Sequence, residues 1–531
     1  MIERVSIPEY FNIGHACTEP DVLEHDSTQT AIIVDQDQQG IQSLSYAELA
    51  AQSNRFAHAL KHSGIKQQDR VLLWLPNSIE FPIAFFGTLK LGAIAVPSSI
   101  LLTGEELDYL AKDSGSRILV TTTELWHRLQ AFQTHSHALE QVILIDDNDL
   151  KSSTSDASNH IKCLNFKAFI AQHTADAMHS KTKANDPAYL VYTSGTTGYP
   201  KGVLHAHRAL LGRTPSAKFW FNYQENDRIL HSGKFNWTYV LGTALMDPLL
   251  LGKTVVVYEG VNDAETWPKL IAKHQCTIFI GVPTIYRQII QKTAFNAKDL
   301  PSLKHCMCAG EHLSNEMLSA WKQRFELNIY EAIGMSECSY YLSQHVGRPI
   351  RPGSAGFPQP GHHIALLDQA MKPVGDEQEG MLCIGLDDPG LFIEYWHLPE
   401  TTQASRQGNY FLTGDYARRD KDGYIWFLGR KDDIINSFGF RISPHEIERV
   451  IKTHPEIADC VALEENAGKD KTLVVVCVIV KDQKAIEETQ IIAFSEQHLA
   501  KYKVPKKVYV MKNFPRTANG KILRKQLQAM L

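Results

Sequence analysis

No stretch of this chain approaches 18 uninterrupted apolar residues, so the sequence offers no membrane-spanning helix. The first residues, Met1-Ile2-Glu3-Arg4-Val5-Ser6, lack the basic segment and apolar run of a secretory leader. No C-x-x-C pair occurs among the nine cysteines, and the closest two, Cys306 and Cys308, form a C-x-C. That spacing argues against a zinc site or a disulfide framework and for reduced, mostly buried thiols in a cytoplasmic enzyme. The formal charge of -5 has no strong sign bias, which gives no reason to expect a nucleic acid or an acidic membrane as partner. It leaves room for an anionic ligand, since phosphates are often held by local backbone donors. No internal repeat is visible.

What is present is an ordinary globular composition, 44% hydrophobic and 21% charged, over 531 residues. That length exceeds what one core usually organises and implies at least two domains. Val71 to Leu75, Val142 to Ile145, Leu190 to Tyr192 and Thr277 to Ile280 read as buried strands. Tyr46 to Leu60 and Ser78 to Leu91 carry helical spacing. The alternation predicts an α/β fold with largely parallel strands. Lys151 to His160 is polar and Ser-rich, a surface loop. A Gly-rich, strand-like region from Gly353 to Gly429 leads into Arg430-Lys431-Asp432-Asp433. Beyond it, Ser443-Pro444-His445-Glu446 reads as a helix start with a capping box. Val461 to Leu463 and Leu473 to Val480 follow as strands. The domain boundaries read from this are 1–430 and 431–531, the second a small α+β domain on a short linker.

The strongest local signal is Tyr192-Thr193-Ser194-Gly195-Thr196-Thr197-Gly198-Tyr199-Pro200-Lys201-Gly202, after an expected strand and before a helical stretch beginning near His207. Its glycines let the backbone turn sharply and expose N–H groups. Hydroxyls supply further donors and Lys201 a positive charge, a combination suited to a polyphosphate. The spacing is not that of a Walker A loop. A mobile Gly/Ser/Thr linker is the plainer reading, but linkers seldom lie between a buried strand and a helix with Pro-Lys-Gly appended. His205 and His207 have no carboxylate or cysteine beside them in sequence, so a satisfied pair near a helix start is expected rather than a metal site.

This loop resembles the AMP-binding loop of the adenylate-forming superfamily of acyl-CoA synthetases, peptide-synthetase adenylation domains and beetle luciferases. Further motifs follow in the family's order. Ala309-Gly310-Glu311 resembles the loop beside the adenosine, and Ile333-Gly334-Met335-Ser336-Glu337 the aromatic-Gly-x-Thr-Glu segment. Thr413-Gly414-Asp415 resembles the ribose-binding element, Gly429-Arg430-Lys431-Asp432 the hinge, and Asn436 to Arg441 the loop beyond it. Pro515-Arg516-Thr517-Ala518-Asn519-Gly520-Lys521 resembles the C-terminal lysine motif. Taken singly, Asp415 and Glu337 would be ordinary surface carboxylates and Lys521 an ordinary tail lysine; the order of the motifs is what reverses that reading.

The resemblance implies a large N-terminal domain of two parallel α/β sheets plus a small β-barrel, and a small mobile α+β C-terminal domain. It implies an AMP-forming acid–CoA ligase with ATP, Mg²⁺ and CoA, the alternative being a stand-alone adenylation enzyme that loads a separate carrier protein. A non-catalytic nucleotide binder is disfavoured, because Lys521, Glu337 and Asp415 are all present. By the same resemblance Lys521 bridges carboxylate and α-phosphate, and Glu337 holds Mg²⁺. Asp415 and Arg430 take the ribose. Thr193, Ser194, Gly195, Thr196, Thr197 and Lys201 cradle the β- and γ-phosphates. Gly310, Glu311, Ile333, Gly334, Met335 and Ser336 line the nucleotide site. Ile333 replaces the family's aromatic residue, so it covers the adenine without stacking. Asp432 is the expected hinge. Gly439 and Phe440 lie on the loop resembling the wall of the CoA tunnel, and Trp237 matches an aromatic gate.

Asn236, Trp237, Thr238, Ala309 and Gly334 are the residues the resemblance places at the acyl pocket. Gly334 stands where acetate-specific relatives carry tryptophan, which implies a deeper pocket. With Trp237 and Tyr239 as apolar walls and no basic residue nearby, the expected acid is uncharged and medium-sized. It is benzoate-like, medium-chain aliphatic or a small thioether acid. On this reading Gly334→Trp shuts out larger acids and spares acetate. The oligomeric state stays open, with a homodimer as one option.

Overall fold

The apolar runs become strands because two faces of sheet are covered, which removes the need for a polar alternation. Arg70–Trp74, Gln141–Leu144, Pro187–Thr193 and Ile278–Gly281 lie where the sequence placed them. The computed structural model describes the chain except residues 1–4, 20–25, 38–39, 131–137, 147–160, 179, 194–199, 311–312, 431–432, 434, 438–439, 467–471, 482–485, 500–502 and 517–521. The expected Ser-rich loop at 151–160 lies outside the described residues.

The chain divides into two compact units. The first comprises residues 1–352, 356–363 and 385–406, and the second residues 353–355, 364–384 and 407–531. The first holds two large sheets. One runs from edge to edge through Glu394–Tyr395, Lys201–Ala206, Pro187–Thr193, Ile94–Pro97, Arg70–Trp74, Ile118–Thr121, Gln141–Leu144 and Lys162–Asn165. From Pro187–Thr193 onward it is parallel, and the two strands before that are antiparallel. The other has six parallel strands at its centre, Thr30–Gln36, Thr254–Glu259, Arg228–His231, Ile278–Gly281, His305–Ala309 and Ile329–Met335. Antiparallel strands extend it at both edges, Gly40–Ser45 on one side and Cys338–Ser343 with Phe357–Pro358 on the other.

Helix Tyr46–His62 begins at a complete capping box in which Ser45 and Glu48 satisfy each other's backbone N–H groups. Helix Glu80–Leu91 stops at Gly92, whose φ of 80° is the left-handed conformation a C-terminal glycine supplies without strain. All nine cysteines are buried free thiols.

A small sheet, in the second unit except for Gly385 and Arg406, is built from Ile364–Leu367, Glu379–Gly385, Arg406–Gln407, Tyr410–Arg419 and Ile425–Arg430. A three-stranded sheet follows, from Ile457–Asn466, Thr472–Val480 and Lys507–Val510. Val474, Val476 and Val478 pack with Ile447, Ile451 and Ile491, while Val475 and Cys477 pack with Phe514 and Leu527. Burial of both faces explains the unbroken apolar run at 473–480.

Two expectations need correcting. Helix Pro444–Ile451 starts as read, with Pro444 in its first turn, but Ser443 makes no cap. Its buried hydroxyl donates to the Leu428 carbonyl instead, a tertiary contact that outcompetes the local one. The second correction concerns the segment before His207. Lys201–Ala206 is a buried strand, so the phosphate-loop segment joins two antiparallel strands rather than a strand and a helix. Helix Arg208–Arg213 then begins beside His207, where a helix is expected.

That helix ends in a charge with no access to water. Arg213 is 2% exposed, donates from Nε to Asp247 Oδ1 at 3.0 Å, and places its guanidinium 5.9 Å from the centre of the Tyr340 ring. Burial raises the Asp247 carboxyl to about 6 even with this partner. Removing one member strands the other charge in the interior. Asp247→Ala should therefore cost about 3–5 kcal/mol in urea unfolding. The paired change Arg213→Met with Asp247→Leu should cost far less, and equal losses would show that the ion pair is not what holds this region.

Candidate active site

Strand pairing sets the geometry around the phosphate-loop segment. Thr193 pairs with Lys201 across the antiparallel ladder, so both flanks of residues 194–199 are placed although Ser194, Gly195, Thr196 and Thr197 lie outside the described residues. Helix Gly104–Ser114 secures both flanks. Tyr192 Oη donates to Asp113 Oδ2 at 2.6 Å, and Tyr109 Oη donates to the Pro200 carbonyl at 3.4 Å. Burial and the neighbouring Asp113 carboxylate push the Tyr192 phenol up, so it remains a donor. Gly202 is a packing glycine: a Cβ there would lie 2.9 Å from both Leu190 Cδ1 and Trp396 Cβ.

The Ile333-Gly334-Met335-Ser336-Glu337 segment ends one strand and turns into the next. Ile333 pairs with Leu342 and Met335 with Cys338, so the register slips across Gly334, with the extra residues bulging on the partner strand at Ser339–Tyr341. A Cβ on Gly334 would overlap the Tyr340 amide nitrogen and lie 2.8 Å from Tyr340 Cα. Its missing side chain therefore has a packing cause in the hairpin itself. Three contacts hold the turn. His205 Nε2 lies 2.7 Å from the Ser336 carbonyl, the Phe392 N–H donates to the Glu337 carbonyl at 2.8 Å, and Tyr395 Oη donates to Glu337 Oε1 at 2.7 Å. Burial holds His205 neutral, down to about 3, and a carbonyl can only accept, so its proton sits on Nε2. His207, also neutral near 3, accepts from the Ile13 N–H at 3.1 Å. The pair is only partly satisfied: His205 Nδ1 and His207 Nε2 are buried without a hydrogen-bond partner among the described residues.

Trp237 and Gly310, the residue expected in the adenosine loop, are neighbours. Gly310 has φ +101°, and a Cβ on it would meet Trp237 Cη2 at 3.8 Å. Trp237 stands edge-on to Tyr239, ring centres 5.4 Å apart, and Tyr239 edge-on to His231 at 5.0 Å. Ala309 lies in a cluster with Trp220, Met307 and Tyr340, against which Tyr239 packs. Thr238 opens the short helix Thr238–Leu241, which passes into a π-helical turn, Gly242–Met246. The preceding segment is tied down by Asn77, whose Oδ1 accepts from the Phe235 N–H at 2.9 Å and whose Nδ2 donates to the Gly233 carbonyl. Among the described residues, buried polar atoms without a hydrogen-bond partner remain here: Asn236 Nδ2, Tyr239 Oη and His231 Nε2.

In the second unit Asp415 is half-buried, and its N–H donates to Thr413 Oγ1 at 3.1 Å. It pairs in register with Arg430, so the two expected ribose-site residues face each other across a hairpin. Gly414 between them in the motif has φ +78°. Phe440 lies on the strand Phe440–Ile442. Glu311, Asp432, Gly439 and Lys521 fall outside the described residues.

Tyr395 and His205 were not singled out as site residues by the sequence. Their role comes from pairing between strands nearly 200 positions apart, for which a single sequence carries no signal. A Cys338–His362–Asp388 cluster lies nearby, fully buried. Cys338 Sγ and the Asp388 carboxylate both address His362 Nδ1, at 3.9 and 2.9 Å, so the imidazole cannot relay a proton from thiol to carboxylate. Asp388 also accepts from the His363 and Gly390 N–H groups, and burial pushes the thiol up, which makes the cluster a satisfied buried network.

Comparison with known proteins places this geometry in context. The profile of the AMP-binding enzyme family matches residues 22–396, and that of the AMP-binding enzyme C-terminal domain matches residues 446–521. The uncharacterised acyl–CoA ligase YtcI of Bacillus subtilis is 30% identical over 511 residues, 94% of this chain and 93% of its own. The 3-hydroxybenzoate/4-hydroxybenzoate–CoA ligase of Thauera aromatica is 30% identical over 493 residues, 92% of each chain. Among solved structures, the anthranilate CoA ligase AuaEII in complex with anthranoyl-AMP superposes with a TM-score of 0.86. It is 28% identical and covers 99% of this chain and 98% of its own.

The bulge revises what a side chain at position 334 would do. Gly334→Trp, or even Gly334→Ala, must displace the backbone of the neighbouring strand, and should cost at least about 1–3 kcal/mol. Activity should fall on large and small carboxylic acids together, alongside the urea midpoint. A clean switch to acetate at unchanged stability would show that the hairpin yields and only the pocket is filled.

Proposed function

The chain belongs to the family of AMP-binding enzymes, and from that premise we propose which residues carry its two half-reactions and which acid it takes. The reaction is AMP-forming acid–CoA ligation: a carboxylic acid and ATP give acyl-AMP and pyrophosphate, then CoA displaces AMP. A carrier protein as acceptor is set aside, since the relatives are CoA ligases.

Adenylation adds negative charge at the α-phosphate while pyrophosphate leaves, so donors and cations must converge on the phosphates. Thr193, Ser194, Gly195, Thr196, Thr197 and Lys201 hold the β- and γ-phosphates in this reading. The Thr193–Lys201 pairing supports it, because it fixes both ends of the loop on a rigid ladder. Gly310, Glu311, Ile333, Met335 and Ser336 flank the adenosine. Asp415 accepts from the ribose hydroxyls, with Arg430 opposite it. Lys521 joins the acid carboxylate to the α-phosphate, and Asp432 is the hinge about which the C-terminal segment, residues 431–531, turns between steps. Gly439 and Phe440 then line the path of CoA, and Trp237 gates it.

Glu337 fits Mg²⁺. Its carboxylate is a hard oxygen donor, with Oε1 taken by Tyr395 and no further hydrogen bond or ion pair to the carboxylate among the described residues. When bound, the ion neutralises charge on the phosphates; the chain's own part is to hold a carboxylate oxygen ready for it.

The acid is best read as benzoate-like and uncharged apart from its carboxylate. Trp237 and Tyr239 offer flat walls, and Ala309 a small floor residue. The relatives that act on hydroxybenzoate and anthranilate support an aryl acid. A medium-chain aliphatic acid is the second reading. An apolar pocket discriminates by only about 1–3 kcal/mol per methylene, so several acids should be accepted.

The carrying observation is the conjunction of the anchored phosphate-loop flanks with the Glu337 turn in one unit. The test separates the half-reactions. Lys521→Ala should lower acyl-AMP formation, read by pyrophosphate exchange with benzoate, by about 10²–10³-fold. CoA attack on supplied benzoyl-AMP should stay nearly intact. Equal loss in both steps would refute the role assigned to Lys521, and absence of a CoA thioester by mass would refute the ligase reading.

A further inference from the structure

Tyr395 touches two of the charged groups just assigned. Its hydroxyl donates to Glu337 Oε1 at 2.7 Å, and the Lys201 ammonium sits over its ring, 4.5 Å from the centroid. The phenol is 6% exposed. Its own position is fixed by the sheet: Tyr395 pairs with Val203, its N–H donates to Thr402 Oγ1 at 2.9 Å, and its ring lies 4.8 Å from Phe392. Among the described residues no ion pair joins Lys201 to Glu337, although both address this one side chain.

We propose that Tyr395 is a positioning residue that holds Glu337 and Lys201 in place while keeping them from pairing with each other. This rests on the reading of Glu337 as the Mg²⁺ ligand and Lys201 as a phosphate ligand. An ionised carboxylate only accepts, so the phenol must donate, and a buried hydroxyl without that bond is costly. The bond therefore selects one placement of the carboxylate and leaves its second oxygen for the metal. The ring face attracts the ammonium through its quadrupole without neutralising it, so the lysine keeps its full charge for an incoming phosphate. A carboxylate in the ring's place would bind Lys201 more tightly and compete with ATP.

Two variants separate the functions. Tyr395→Phe keeps the ring and loses the hydroxyl; Tyr395→Leu loses both. Mn²⁺ binding is followed by electron paramagnetic resonance with α,β-methylene-ATP saturating, a readout independent of turnover. Tyr395→Phe should weaken Mn²⁺ by about 10–100-fold, the scale of one hydrogen bond to a charged group. The KM for the acid should not move. Tyr395→Leu should in addition raise the KM for ATP by about 3–10-fold, the scale of a lost cation–π contact. Glu337→Gln runs in parallel. If it leaves Mn²⁺ affinity unchanged, the assignment of Glu337 fails and this proposal falls with it. If Glu337→Gln weakens Mn²⁺ and Tyr395→Phe does not, the proposal alone is overturned. A Tyr395→Phe enzyme that only melts earlier, with Mn²⁺ affinity intact, overturns it as well.

Discussion

The antiparallel seating of Lys201–Ala206 between Pro187–Thr193 and Glu394–Tyr395 is the constraint on which the site depends. Strand pairing fixes position to a fraction of an ångström, and a slip of one residue would turn every side chain to the other face. In this register Lys201 lies beside Thr193 and over Tyr395, while His205 on the same strand reaches the Ser336 carbonyl. One strand thus sets both the flank of the proposed phosphate loop and the turn that carries Glu337.

Glycine has different uses around this centre, and the difference has consequences for substitution. Gly310 adopts a positive φ beside the Trp237 ring, where a side chain would be strained. Gly202 and Gly334 have no such conformation; they are small because neighbouring chain comes too close. A glycine at the edge of a pocket therefore need not mean that the pocket exploits its smallness.

Several charged and polar groups of the first unit lie in its interior. Arg213 with Asp247, His205 on Ser336, and Asp388 with His362 are all withdrawn from water. Each is tolerated because its partner is present, and each gains geometric definition from the low dielectric around it. Asn236 Nδ2, Tyr239 Oη and His231 Nε2 differ in lacking hydrogen-bond partners among the described residues. They cluster about the aromatic pair Trp237 and Tyr239, where the acid is expected.

The sequence by itself determined the α/β class, the strands at 71–75, 142–145, 190–192 and 277–280, and the order of the motifs. These are legible because burial on both faces writes itself as an apolar run, and phosphate chemistry demands glycine, hydroxyl and lysine close together along the chain. Only the tertiary structure decided that Lys201–Ala206 is a strand, that Ser443 turns from its helix to Leu428, and that Gly334 sits opposite a bulge. It alone joined Tyr395 to Glu337, 58 positions away, and Asp415 to Arg430 across a hairpin. The physical reason is the same in each case. Local propensity is decided by neighbours along the chain, whereas a buried hydroxyl, carboxylate or glycine is decided by whatever the fold brings against it.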